Sequence, residues 1–126
     1  MNGNDIPFPK KKFLFVSLES LSGDLAWTVL KEGHEVKAYI KAPGDEGVYE
    51  GFIERVPDWK PFIDWADVIV FDDVEFGVVA QKLRKEGKLV IGGTEYTDKL
   101  EMDREFGQAE LKRHGVNTLP NWQFTN

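Results

Sequence analysis

An alternation limits the fold of this chain more than any other feature. Short, continuous runs of apolar and β-branched residues are each followed, within a few polar positions, by a segment with helical spacing. Phe13-Leu14-Phe15-Val16 is apolar at every position, the pattern of a strand covered on both faces. Residues 34–40, 67–71 and 88–91 read as three further strands. Between them, Leu25, Ala26, Val29 and Leu30 share one helical face before Gly33, and Phe76, Val79, Ala80 and Leu83 form a stripe before Gly87. Strands that alternate with helices build βαβ units, right-handed crossovers and an open parallel sheet, an α/β fold. The simplest strand order is 2-1-3-4, with a switch point between the first and third strands.

The remaining segments are less regular. Ala42-Pro43-Gly44-Asp45-Glu46-Gly47 is a turn signal, and residues 48–56 fit either a short strand or irregular chain. Residues 58–66 read as a short helix with Pro61 in its first turn, and Trp59, Phe62, Ile63 and Trp65 read as core aromatics and aliphatics. A break is expected near residues 96–99. A long amphipathic segment follows to His114, with Met102, Phe106 and Ala109 at helical spacing and Gly115 as its stop. The tail, residues 116–126, could be a strand or a linker.

Composition narrows the function classes. A chain of 126 residues suits one core. Its formal net charge of −6 argues against a nucleic-acid partner, whose binding surface is normally basic. With no cysteine there is no disulfide framework and no thiolate metal site, which fits a reducing, cytoplasmic setting. No apolar run is long enough for a membrane-spanning helix. Residues 1–11, with two prolines, read as a disordered lead-in without the apolar core of a signal peptide.

The stretch Phe71-Asp72-Asp73-Val74-Glu75 ends the third strand and starts the next helix, so its acids stand at the carboxyl edge of the sheet. Ligands in open α/β sheets sit at that edge. Three loops meet there: residues 17–24, 72–75 and 92–94. The first lacks G-x-G-x-x-G and G-K-[ST], which excludes the usual dinucleotide and P-loop modes. Ser20 and Ser22 could still offer hydroxyls to a phosphate at the following helix start, and Ser22 also reads as that helix's N-cap. Asp72 and Asp73 could hold an ammonium group, although either could merely cap a helix. Two carboxylates alone make a weak hard-metal site. His34 and His114 each adjoin a helix-ending glycine and read as structural, and no nucleophile–base–acid set is present.

Several motifs carry a resemblance. Leu25-Ala26-Trp27, Ala42-Pro43-Gly44-Asp45, Ile91-Gly92-Gly93-Thr94, Leu100-Glu101-Met102-Asp103-Arg104-Glu105-Phe106 and Leu111-Lys112-Arg113-His114-Gly115-Val116-Asn117-Thr118 resemble the N-terminal domain of phosphoribosylamine–glycine ligase (glycinamide ribonucleotide synthetase). That family has Leu-Ala-Trp, Ala-Pro-Gly-Asn, Phe-Gly-Pro-Ser, Leu-Glu-x-Ser-Lys-x-Phe and Leu-x-Arg-His-Gly-Ile-Pro-Thr at these places. The resemblance implies a pre-ATP-grasp domain over residues 12–116: a Rossmann-like open parallel sheet of about four to five strands with helices on both faces. Residues 117–126 would begin a linker into an ATP-grasp module, in cis or in trans.

The family joins glycine to phosphoribosylamine in purine biosynthesis, using ATP and Mg²⁺. The resemblance implies both cofactors for the full-length protein and none in this chain. It also implies a small-molecule partner bearing an amine or a phosphate, bound near Ser20, Ser22, Asp72, Asp73, Gly93 and Thr94, with no catalytic residue on this domain. The family's Gly-Gly-Arg-Glu-His-Ala loop is here Glu19-Ser20-Leu21-Ser22-Gly23-Asp24, and its Gly-Pro-Glu-x-Pro-Leu is Phe71-Asp72-Asp73-Val74-Glu75-Phe76. Asp73 takes the place of the family's acid. The family's Ser-Lys pair is Asp103-Arg104. Two other readings compete. One is a receiver-like regulatory module with Asp72 as phosphoacceptor, although only Glu19 stands where receivers carry an acidic pair. The other is a stand-alone binding module whose Trp122 and Phe124 dock a partner.

Overall fold

The computed structural model describes residues 8–44, 47–122 and 124. The expected lead-in falls largely outside these residues, as does the middle of the turn at Asp45 and Glu46. The chain enters the sheet at β1 (Lys12–Ser17) and continues through α1 (Gly23–Lys31), β2 (Glu35–Ile40), β3 (Glu54–Arg55), β4 (Val68–Phe71), α2 (Gly77–Lys85), β5 (Leu89–Ile91), α3 (Glu95–Met102) and α4 (Arg104–Arg113). The described strands form one sheet in the order β3-β2-β1-β4-β5, and all of its pairings are parallel. This is the expected 2-1-3-4 order with a short extra strand added at one edge. The fold is a Rossmann-like α/β layer with helices on both faces.

Alternation along β1 sorts the core into two layers. Phe15 points to the face where α1 supplies Ala26 and Val29, together with Val36, Ala38 and Val70 from the sheet. Leu14 and Val16 point to the opposite face, against Ile69, Phe71, Trp59 and the α2 residues Ala80 and Leu83. Leu14, Phe15 and Val16 are at most 1% exposed, as a central parallel strand requires. The expected core aromatic cluster is confirmed only in part: Trp59 is buried, and Phe62, Ile63 and Trp65 pack against the same layer while partly open.

Three expectations need correction. Residues 58–66 form no continuous α-helix: a 3₁₀ turn at Lys60–Phe62 with Pro61 near its start is followed by one further turn, closed by the Ala66 N–H on the Phe62 carbonyl at 3.1 Å. Leu25, expected on the buried face of α1, is half exposed, since that helix turns only Ala26 and Val29 fully inward. The chain does not break at residues 96–99 either: α3 runs straight through them, and the break comes at Asp103, between α3 and α4. The cause is local. Thr94 accepts a hydrogen bond from the Thr97 backbone N–H while the Thr97 hydroxyl accepts one from the Thr94 N–H, a reciprocal cap that starts a helix. Asp103 then caps α4 by accepting from the Phe106 N–H at 2.9 Å, which gives this departure from the family's serine a structural task. The described tail residues take no regular structure, and Leu119, Trp122 and Phe124 are strongly exposed.

Candidate functional site

The carboxyl edge gathers the loops leaving β1, β4 and β5. Among the described residues, three non-glycine positions have positive φ, and all lie on connections leaving that edge: Ser20 (63°), Tyr49 (71°) and Glu75 (74°). Such conformations cost energy and persist where surrounding contacts over-determine them.

Asp72 organises the loop after β1. Its Oδ2 accepts hydrogen bonds from the Ser17 hydroxyl at 3.0 Å, the Ser22 N–H at 2.8 Å and the Ser22 hydroxyl at 2.5 Å. Ser17, only 2% exposed, also accepts from the Ser20 N–H at 2.6 Å. Ser22 is therefore the N-cap residue of α1 by position but not by its side chain, which turns to Asp72 instead. The Ser20 hydroxyl donates to the Tyr49 hydroxyl. Both serine hydroxyls expected to face a phosphate are thus engaged inside the chain, and a carboxylate occupies the donors of this loop. Asp72 Oδ1 is buried and has no partner among the described residues. A carboxylate with one oxygen buried and the other accepting three hydrogen bonds is a poor phosphoacceptor, which weighs against the receiver-like reading.

Asp73 differs from its neighbour. Its Oδ1 accepts from the Val74 N–H at 2.8 Å, and Oδ2 takes no hydrogen bond from the described residues. Both acids line an open cleft of about 370 Å³ with Leu21, Gly93, Thr97, Asp98 and Glu101. No basic residue is among those lining it, so its field favours a cation or a hydrogen-bond donor. Asp72, Asp73 and Gly93 are therefore brought together, while Ser20 lines a different cleft and Ser22 lines neither. Thr94 works as a cap rather than as a wall.

The far wall of the cleft rests on close backbone approaches. Gly77 donates its N–H to Asp98 Oδ2 at 2.8 Å, and a Cβ at Gly77 would fall 2.2 Å from the Thr94 carbonyl oxygen. Gly92 has φ 149°, and a Cβ there would lie 2.9 Å from the Phe71 carbonyl oxygen. Arg84 reaches over from α2 and donates to the carbonyls of Gly93 at 2.8 Å and Gly92 at 2.7 Å, fixing the turn. Sequence reasoning missed Arg84, Asp98 and Glu101. The signal for Asp98 was the threonine cap ahead of acidic residues in a first helical turn, and Glu101 lies one turn further along the same helix. Nothing local marks Arg84.

Among the described residues no group of three or more His, Cys, Asp or Glu side chains could hold a metal ion, and no helix is long and apolar enough to cross a membrane.

Comparison with known proteins adds the fold and its extent. No family model and no curated protein matches the sequence. Among solved structures the chain is similar to N5-carboxyaminoimidazole ribonucleotide synthetase from Thermotoga maritima, with a TM-score of 0.66 and 18% identity over 87% of this chain. It is also similar to an imine reductase from Myxococcus stipitatus (V8 variant, in complex with NAD⁺), with a TM-score of 0.53 and 18% identity over 86% of this chain. The chain spans 32% of the first of these proteins and 37% of the second. At such identity the likeness shows the fold, the Rossmann-like layer already described.

Proposed function

We propose that this chain is the substrate-side, N-terminal domain of an ATP-dependent carboxylate–amine ligase, related to phosphoribosylamine–glycine ligase. One observation carries the reading: loops from three strands and the first turns of α3 converge on an acidic, one-sided cleft at the switch point. Of the motifs that resemble that ligase family, Gly93 and Glu101 line the same cleft. The solved structure with the higher TM-score is itself named a ribonucleotide synthetase, and this chain covers 32% of it.

In this reading Asp73 accepts hydrogen bonds from the substrate's amine or hydroxyl, and Gly93 lets the substrate approach the backbone. Asp72 holds the first loop in place through Ser17 and Ser22 instead of touching the substrate. The engaged serine hydroxyls favour an amine over a phosphate as the group this domain recognises. In this reading ATP and Mg²⁺ belong to an ATP-grasp module supplied in cis or in trans. The bound nucleotide would supply the acyl-phosphate chemistry; this domain would orient the amine toward it.

The test uses the natural gene product that contains this chain. Phosphate release from ATP is measured with glycine and phosphoribosylamine, each omitted in turn, and then with other amine-bearing ribonucleotides. Release that needs both an amine and a carboxylate is expected. If the gene product and its co-purifying chains contain no ATP-grasp module and release no phosphate with any pair, the reading is wrong.

A further inference from the structure

A second cleft lies beside the first, on the α1 side of the sheet. It has a volume of about 660 Å³, within the range of small-molecule sites, and is lined by Ser20, Leu21, Gly23, Asp24, Trp27, Val48, Tyr49 and Phe52. Three of its residues are aromatic and mutually braced. Trp27 and Phe52 meet edge to face with centroids 5.1 Å apart and planes at 79°, and Tyr49 meets Phe52 at 6.0 Å and 82°. Trp27 and Phe52 nonetheless stay 37% and 46% exposed, and Leu21 is 65% exposed. The floor is held open by two strained residues, Ser20 and Tyr49, whose hydroxyls bond to each other.

The polar content of this cleft points one way. Asp24 suits the first turn of α1 on dipole grounds, yet its carboxylate receives no hydrogen bond or ion pair from the described residues. No Lys, Arg or His lines the cleft. Ring faces attract cations, and the site already shows this at its border, where the Lys31 ammonium lies 5.5 Å from the Trp27 centroid. Aromatic walls beside an unpaired carboxylate are the chemistry that recognises an organic ammonium ion.

We infer that the Asp24–Trp27–Tyr49–Phe52 cleft binds a small organic cation, an ammonium group carried on an apolar body. The exposed Trp27 and Phe52 rings contact the body and the charged methyl or methylene groups, and Tyr49, only 4% exposed, backs Phe52 from the core. Asp24 balances the charge at the mouth. This site shares only Leu21 with the acidic cleft at Asp73, and the inference does not rest on the ligase reading.

The probes are choline and its uncharged isostere 3,3-dimethyl-1-butanol, at matched ionic strength. The readout is the Trp27 indole N–H resonance of the isotope-labelled 126-residue chain, with the Trp59 and Trp65 resonances as controls for the fold. Choline should shift Trp27 saturably, and the neutral isostere should bind about tenfold more weakly or not at all. Asp24→Asn should weaken choline by about tenfold while the Trp59 and Trp65 resonances stay in place. Phe52→Leu, at a half-exposed position, should weaken it as well. Equal binding of choline and isostere, an Asp24→Asn variant that binds choline as tightly as the parent, or the lack of any saturable shift would overturn the proposal. A Trp27 resonance that moves on simple dilution of the protein would also overturn it, because a second copy would then be the occupant.

Discussion

The sheet and the pair α3–α4 are held together by different means. β1 and β4 carry the largest fully buried side chains, with Leu14, Phe15, Val16 and Ile69 at or below 1% exposure. α3 buries none of its residues, and of the residues of α4 only Gly107 is buried. That pair is held instead by polar geometry: the Thr94–Thr97 reciprocal cap, Asp98 on the Gly77 N–H, Gln81 on the Glu95 N–H, and Glu110 bridging Tyr96 and Arg113. Burial is non-directional and tolerates small shifts, whereas these contacts depend on position. The acidic cleft takes one wall from each regime, so it can be disturbed without unfolding the domain.

The largest expected effect tests the sheet. Phe15→Ala removes a ring from the middle of one core layer and should cost about 3–5 kcal/mol, read as a lower urea midpoint with an unchanged slope. Gly77→Ala tests the seam between the two regimes. Its Cβ would collide with the Thr94 carbonyl and approach Asp98, 2.7 Å away, so a loss of about 2–3 kcal/mol is expected. Amide exchange should rise in α3 before it rises in β1; uniform exchange would show that the seam is not separate. The two adjacent acids sharpen the contrast further. Asp72→Ala leaves the Ser17 and Ser22 donors without their acceptor and should cost about 1–3 kcal/mol, while Asp73→Ala should stay within about 0.5 kcal/mol. Equal costs in thermal melts would erase the distinction between an acid that positions a distant loop and one that bonds only its neighbour's N–H.

The smallest effect is a local pH dependence in α4. The carboxyl of Glu110 is held down to about 2 by the Arg113 hydrogen bond first and the Tyr96 hydroxyl second. Its folded value lies below the ordinary 4.5, so its contribution is complete above that pH and is lost as pH falls toward 2. The same contact raises the Tyr96 and Arg113 values. Amide protection in α4 should therefore decline through this window in the parent and show no such step in Glu110→Gln.

The parts that sequence pattern revealed are the parts held by burial. Continuous apolar runs mark buried parallel strands, so the order of four strands and the switch point were legible. β3 was not, because two residues leave no periodicity to read. α3 was misplaced because its start depends on a threonine pair and not on an apolar stripe. The roles of Ser20 and Ser22 were hidden for another reason: their partners lie 29 and 50 positions away, at Tyr49 and Asp72. The acids at the edge of the sheet were legible as a group. Which of them holds a distant loop and which bonds only locally depended on contacts that no local pattern encodes.

The most direct test of the central claim is the dependence of turnover on the amine substrate in the natural gene product carrying Asp73→Asn. An intact fold with KM for the amine raised about tenfold or more, and kcat changed much less, is the predicted result. An Asp73→Asn protein whose amine KM equals that of the parent would contradict it.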